Sequence, residues 1–217
     1  MEDFQVAKEV FVTNEYTVRS PRRRIVVDIG KNVGLASLLM AHDPNVIAVH
    51  SFEPFEMPFK RALENFSINP LLAPKIHANH FGLAGENLET DVFVNDSATI
   101  STSIKGVKSG RSETIRVREA AIALASVFEE AADIGADVFL KIDCEGSEFA
   151  IFESLARHDR FKSVRGIMVE WHKWWSADKT QMDLMKFLFA NDFIVFDRTN
   201  GTDLWAGQFN ALRVTRD

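Results

Sequence analysis

The segment that most limits how this chain can fold runs Val26-Val27-Asp28-Ile29-Gly30-Lys31-Asn32-Val33-Gly34. A β-branched strand at 24–29 delivers an acid at its carboxyl end. The chain then turns through glycines into a stretch at 32–41 with apolar residues at helical spacing (Val33, Ala36, Leu39 or Met40). Glycine is needed where backbone must approach a neighbour closely or take up positive φ. A second apolar strand at 46–52 ends on Glu53, nineteen residues after Gly34. Strand, glycine turn, helix and strand begin an open parallel α/β sheet, which binds ligands in the crevice at its carboxyl edge.

Farther along, helical spacing returns at 58–66, with Phe59, Leu63 and Phe66 on one face, and a third strand is expected at 75–81. The alternation then breaks. Strands at 91–94 and 114–117 flank a Ser-, Thr-, Gly- and Lys-rich loop at 97–112, which reads as an inserted hairpin, about 91–118, with a mobile tip. Regular order resumes with a helix at 120–132, a strand at 138–142, a helix at 147–155, a strand at 166–170 and a helix at 179–190. Strands at 193–196 and 206–214 close the chain. No connection between them is long enough for a parallel crossover, so this pair is expected to be antiparallel.

With 217 residues, 18 Phe and 4 Trp, the chain can bury a substantial core as one α/β domain over 1–217. Its 25 basic residues against 31 acidic ones argue against a protein whose main task is gripping nucleic acid. Arg22-Arg23-Arg24 is too short a basic run to change that and reads as a solvated strand entry. A single cysteine, Cys144, allows neither an intrachain disulfide nor a thiolate zinc site. No apolar run reaches membrane-spanning length, and the acidic start does not resemble a signal peptide, so a cytoplasmic location is expected.

The turn itself selects among ligands. A dinucleotide fingerprint spaces its glycines G-x-G-x-x-G so that a pyrophosphate can sit on the helix N-terminus. Here position 32 is Asn, and the pattern is Asp-x-Gly-x-Asn-x-Gly. Asp28 near the turn suits cationic groups, such as the sulfonium and ammonium of S-adenosylmethionine (SAM), and would repel a pyrophosphate. Glu53 stands where an acid can accept both ribose hydroxyls of an adenosine.

Taken together, these motifs resemble the FkbM methyltransferase family. Residues 28–34 are similar to its D-I-G-A-N-I-G, with Lys31 in place of the usual alanine. Ser51-Phe52-Glu53-Pro54 resembles its F-E-P motif, and the asparagines at Asn65 and Asn69 resemble those that follow it. Leu140-Lys141-Ile142-Asp143-Cys144-Glu145-Gly146-Ser147-Glu148 is similar to L-K-I-D-V-E-G-A-E, and Glu170-Trp171-His172 to a strand-ending E-x-H. The resemblance implies a class I, Rossmann-like methyltransferase fold: a seven-stranded, mostly parallel sheet with an antiparallel last strand and helices on both faces. It also implies SAM as cofactor and methyl transfer to a hydroxyl of a sugar, glycolipid or secondary metabolite.

The expected cofactor contacts are Asp28, Gly30, Lys31, Asn32, Gly34, Glu53, Phe81, Gly82 and Asp143. The expected catalytic residues are His172, Asp143 and Glu145. Asp143 ends the fourth core strand and His172 lies just beyond the fifth, on one rim. His172 is the better proton acceptor near neutral pH. Glu148 reads as a helix-capping acid. Asp143, Glu145, Glu170 and His172 could ligate a metal, but no spacing demands it and none is expected. A small-molecule or carbohydrate-like acceptor is the expected partner. Little chain precedes the first strand, so a partner chain or further domain is one expected source of acceptor specificity. The competing readings are a nicotinamide-dependent oxidoreductase, opposed by Asn32 and the antiparallel ending, and a non-catalytic SAM-binding module, opposed by Asp143 and His172.

Overall fold

β1 (Arg24–Ile29) is buried along its whole length, because its alternating side chains feed two cores at once. Ile25, Val27 and Ile29 face one layer, and Val26 faces the other. The computed structural model describes residues 20–94, 111–172, 179–199 and 206–214, together with Lys8, Val10, Phe11 and Tyr16.

After β1 come α1 (Leu35–His42), β2 (Val46–Phe52), α2 (Glu56–Ser67) and β3 (Ile76–Asn79). Three strands of a separate sheet follow: β4 (Gly82–Ala84), β5 (Leu88–Val94) and β6 (Arg111–Glu119). Then come α3 (Ala120–Ala123), α4 (Ala125–Asp133), β7 (Asp137–Ile142), α5 (Glu148–Arg157) and β8 (Val164–His172). α6 (Gln181–Ala190), β9 (Phe193–Asp197) and β10 (Ala206–Arg213) complete the described elements.

The main sheet has seven strands in the order β3-β2-β1-β7-β8-β10-β9. β1 pairs in parallel with both β2 and β7, so the strand order reverses at the β1–β7 seam. As expected, β10 is antiparallel, to β8 on one side and β9 on the other. One face of the sheet is covered by Leu124, Phe128, Ile151, Phe152 and Leu155 from the α3–α5 region, and by Leu184 of α6. The other is covered by Ala36 and Met40 of α1, with Val10 and Tyr16 from the N-terminal segment. α6 starts at a capping box in which Thr180 and Asp183 satisfy each other's backbone amides, two donors that the first turn would otherwise leave unpaired.

Four boundaries differ from those expected. The third strand ends at Asn79, and Gly82–Ala84 turns away to join the second sheet in the order β4-β6-β5. The expected hairpin is therefore one part of a three-stranded sheet, with longer strands than its apolar residues alone suggest. Only its inner face (Val92, Val94, Ile115, against Phe55) is buried, so the outer polar positions hid its length. The helix expected at 120–132 is interrupted at Leu124 (φ −93, ψ 2). His172 is the last residue of β8 rather than beyond it. The loop expected at 97–112 lies outside the described residues except for Arg111 and Ser112, which belong to β6. Among the described residues no helix is long and apolar enough to cross a membrane.

Candidate active site

The glycine turn leaves β1 at the seam and is pinned to β2, where the amides of Gly30 and Lys31 both donate to the Phe52 carbonyl at 3.1 Å. Gly30 has φ +76, and a Cβ there would lie 1.7 Å from the Asp143 carbonyl oxygen, so no other residue fits. Gly34 has φ +80 and faces the Phe66 ring at 2.6 Å from an added Cβ, which serves helix packing and not the cleft. Asn65 of α2 donates to the Val33 carbonyl at 2.8 Å and ties the turn to that helix.

A cleft of about 640 Å³, including its open mouth, lies over this seam. Its walls include Gly30, Asn32, Glu53, Gly82, Asp143 and Glu145. Glu53 is 5% exposed, and each of its oxygens takes one backbone amide: Asn32 N–H to Oε2 at 2.9 Å and Phe55 N–H to Oε1 at 3.1 Å. Those bonds aim the carboxylate and leave lone pairs for a ligand. Burial pushes the Glu53 carboxyl above its usual range, while Lys31 and the two amides pull it back.

Asp28 does not line the cleft. It is fully buried beneath the turn, where Ser37 Oγ donates to Oδ2 at 2.5 Å and Lys141 Nζ stands 3.3 Å from Oδ1. Lys141 also donates to the Gly30 carbonyl at 2.7 Å and lies 3.5 Å from Asp143 Oδ2. Burial opposes the charge on Lys141, but Asp28 and Asp143 outweigh it and lift its pKa above the ordinary value.

Lys31 is likewise buried and is not a wall residue. Its Nζ makes no hydrogen bond among the described residues and sits 4.3 Å from the Phe59 ring centroid. Burial pushes its pKa down to about 8, with Glu53 and Asp28 resisting. Phe81 stands off the cleft, its ring edge-on to Phe52 at 5.4 Å and under the Arg118 guanidinium at 4.2 Å. The neighbouring histidines are stacked, His77 on His50 and His80 on Phe59.

On the opposite rim, Asp143, Glu145 and His172 each offer one ligand atom within 4.8 Å of the others. Glu145 has φ +53, a left-handed conformation unusual for a residue with a long side chain. His172 Nδ1 is 3.0 Å from Oε1 of Glu148, a carboxylate only 1% exposed. The other ring nitrogen, Nε2, faces Glu145 Oε2 at 3.7 Å and Glu170 Oε1 at 3.8 Å. Burial works against a charged ring, but Glu148, Asp143 and Glu145 outweigh it and carry the His172 pKa up to about 9. The Tyr16 hydroxyl meets Asp143 Oδ2 at 3.0 Å and Glu170 Oε2 at 3.3 Å. Burial holds the Cys144 thiol well above its ordinary pKa, so it stays protonated.

Of the residues expected at the site, Gly30, Asn32, Glu53, Gly82, Asp143 and Glu145 therefore converge on one cleft, with His172 beside the last two. Asp28, Lys31 and Gly34 underpin the turn. Sequence reasoning missed Tyr16, Lys141 and the role of Glu148. Glu148 does meet its own turn, accepting from Gly146 N–H at 3.0 Å, but the same oxygen holds His172. Glu170 and His172, two apart on β8, share one face by strand periodicity, a signal the E-x-H spacing already carried. Trp174, Trp175, Lys105 and Lys108 lie outside the described residues.

The family model for the methyltransferase FkbM domain matches residues 28–195. No curated protein matches the chain. Among solved structures, a crystal structure of methyltransferase FkbM from Methylobacillus flagellatus KT has a TM-score of 0.55 at 17% identity, covering 93% of this chain and 46% of that one. The present chain thus spans about half of that protein. M. capricolum TrmK in complex with S-adenosyl-homocysteine gives 0.54 at 9% identity, covering 94% and 67%. A putative tRNA methyltransferase from Streptococcus pneumoniae in complex with S-adenosyl-L-methionine gives 0.51 at 12% identity, covering 100% and 75%. At such identities the likeness is one of fold: a Rossmann-like seven-stranded sheet ending antiparallel.

Proposed function

The chain belongs to the FkbM methyltransferase family, and we propose that it transfers a methyl group from SAM to a hydroxyl oxygen of a small carbohydrate-like or secondary-metabolite acceptor. One observation carries the reading. A single cleft at the switch point has an amide-aimed carboxylate, Glu53, on one side and the Asp143–Glu145 rim on the other.

When bound, SAM supplies an electrophilic methyl carbon attached to a sulfonium leaving group. Glu53 would accept the ribose hydroxyls, and the turn at Gly30 and Asn32 would let the cofactor lie against backbone. The negative rim favours the cationic end of the same molecule. Asp143, Glu145 and His172 would hold the acceptor hydroxyl against the methyl group, its proton passing to a rim carboxylate or to solvent as the C–O bond forms and the C–S bond breaks. The Asn32 amide, which a pyrophosphate would use in a dinucleotide enzyme, is committed to Glu53, which argues against hydride chemistry.

The test is calorimetric titration of the purified chain with S-adenosylhomocysteine, SAM and NAD in parallel. Binding of the first two, weakened on the order of 100-fold in Glu53→Ala through loss of two charge-assisted hydrogen bonds, is the expected result. Binding of NAD alone overturns the reading. Release of S-adenosylhomocysteine against a panel of sugar and polyketide alcohols then identifies the acceptor class.

A further inference from the structure

The rim is more elaborate than a proton acceptor needs. Three residues from two parts of the chain meet there: Asp143 and Glu145 in the turn after β7, and His172 at the end of β8. Their ligand atoms lie within 4.8 Å of one another. An ion held at about 2.0–2.3 Å from each allows any two ligand atoms at most about 4–4.6 Å apart, so the widest of these separations would close by at least a few tenths of an ångström.

His172 is the most informative of the three. It is 8% exposed, and its Nδ1 is fixed by the buried Glu148. The ring is thereby oriented with Nε2 toward the carboxylates. Nε2 makes no hydrogen bond among the described residues. Its nearest oxygens, at 3.7 and 3.8 Å, are too far for one and well spaced for a shared ion. A metal-ligating imidazole characteristically gives its other nitrogen to a carboxylate in this way. Asp143 is held similarly: its contacts with Tyr16 and Lys141 both use Oδ2 and leave Oδ1 uncommitted. Charge points the same way. Asp143, Glu145, Glu148 and Glu170 gather round a single imidazole, and Lys141, which lies beside Asp143, also pairs with Asp28.

We propose that Asp143, Glu145 and His172 Nε2 form a binding site for a divalent cation of the Mg²⁺/Mn²⁺ class, which holds the acceptor hydroxyl oxygen beside the methyl group. Two carboxylates and one imidazole match that class, and the imidazole makes Mn²⁺ the more tightly held ion. Glu148, Tyr16 and Glu170 are positioning residues that orient the ligands. The cation is neither oxidised nor reduced. It lowers the pKa of the hydroxyl it holds, whose proton leaves to solvent as the C–O bond forms and the C–S bond breaks. This use of the site rests on the methyl-transfer reading, but the cation site itself does not.

The experiment is titration of the chelator-treated full chain with Mn²⁺, followed by calorimetry and by the loss of the free Mn²⁺ paramagnetic resonance signal, with and without S-adenosylhomocysteine. One Mn²⁺ per chain is expected, competed by Mg²⁺. Its affinity should fall at least about tenfold in Asp143→Asn and in Glu145→Gln, and about 10–100-fold in Glu148→Gln. Glu145 lies in a loop, so its variant remains informative if Asp143→Asn does not fold. Glu53→Ala should bind Mn²⁺ as the parent does while losing S-adenosylhomocysteine. Absence of Mn²⁺ binding in folded protein that still binds S-adenosylhomocysteine overturns the cation site and leaves the methyltransferase reading standing. Mn²⁺ binding unaffected by the rim variants overturns it equally. Mn²⁺ binding lost in those variants, without any S-adenosylhomocysteine binding, upholds the site and removes the methyltransferase reading.

Discussion

Two clusters of charge flank the carboxyl end of β7, and they are built on different plans. Beneath the glycine turn, Asp28 is fully buried, and Lys141 and Ser37 meet its two oxygens at 3.3 and 2.5 Å. Lys141 completes that unit by donating to the Gly30 carbonyl at 2.7 Å. On the rim, by contrast, carboxylates from β8, α5 and the turn after β7 converge on one imidazole at 3.0 to 3.8 Å. The first cluster is closed and holds the turn in shape. The second is open, with several carboxylates gathered round one imidazole and a ring nitrogen facing them. Neutralisation in place marks a structural post, and carboxylates converging on one ring nitrogen mark a place for something positive or for a proton in transit.

The largest effect should come from opening the closed cluster. Lys141→Met leaves Asp28 without its cation in a site from which water is excluded. The cost of breaking a buried pair on one side is about 3–5 kcal/mol. Urea unfolding should show that loss as a lower midpoint at unchanged slope. Adding Asp28→Asn should recover part of it, because the stranded charge is then gone. A Lys141→Met protein as stable as the parent would show that the post is not closed, and the comparison would fail.

The matching change on the open side should cost less stability than that and strike turnover. His172→Asn is expected to lower kcat by about 10²–10⁴-fold, the range for loss of one positioned acid–base or ligand group. S-adenosylhomocysteine affinity should stay within about threefold, because His172 lies on the acceptor side, while unfolding free energy falls by about 1–3 kcal/mol because the buried Glu148 carboxylate loses its partner. Turnover unaffected by His172→Asn would remove the rim from the chemistry.

How far the sequence foretold these clusters follows from what each contact spans. β1 and β2 coincide with the apolar runs at 24–29 and 46–52, because a strand covered on both faces must be apolar throughout. Glu53, Gly30 and Asn32 were legible for a related reason: they sit at strand ends whose geometry is local. Asp28 illustrates the limit. Its position at the end of β1 was right, but whether an acid there faces a ligand or a lysine depends on Lys141, more than a hundred residues on, and register alone pairs the two (Asp28 opposite Lys141). Tyr16 reaches Asp143 and Glu170 from a segment without periodicity, so nothing nearby announces it. Glu148 was read as an acid in the first turn of its helix, which it is, while its second role needs the end of β8 brought alongside.

Lys31 fits neither plan, which makes it the finest test of the distinction. It occupies the position where the family motif carries alanine. Its Nζ is buried without a hydrogen bond among the described residues, resting only on the Phe59 ring and the more distant pull of Glu53 and Asp28. Burial holds its pKa at about 8, against 10.5 when free. A lysine whose folded pKa is depressed binds fewer protons in the folded state than in the unfolded one between those values. Stability must therefore rise with pH across that window, and the penalty is fully present below it. Its ceiling is on the order of 3 kcal/mol. Lys31→Met should accordingly stabilise the chain at pH 7 and flatten the rise in unfolding free energy between about pH 8 and 10.5. The same substitution takes from Glu53 the first of the groups that hold its carboxyl down, so S-adenosylhomocysteine binding should weaken only modestly, about threefold, and more at acid pH than at alkaline. A loss near that of Glu53→Ala would mean that Lys31 grips the cofactor directly. The buried cation would then belong with the open cluster, as a group held at a cost in stability for the sake of a ligand.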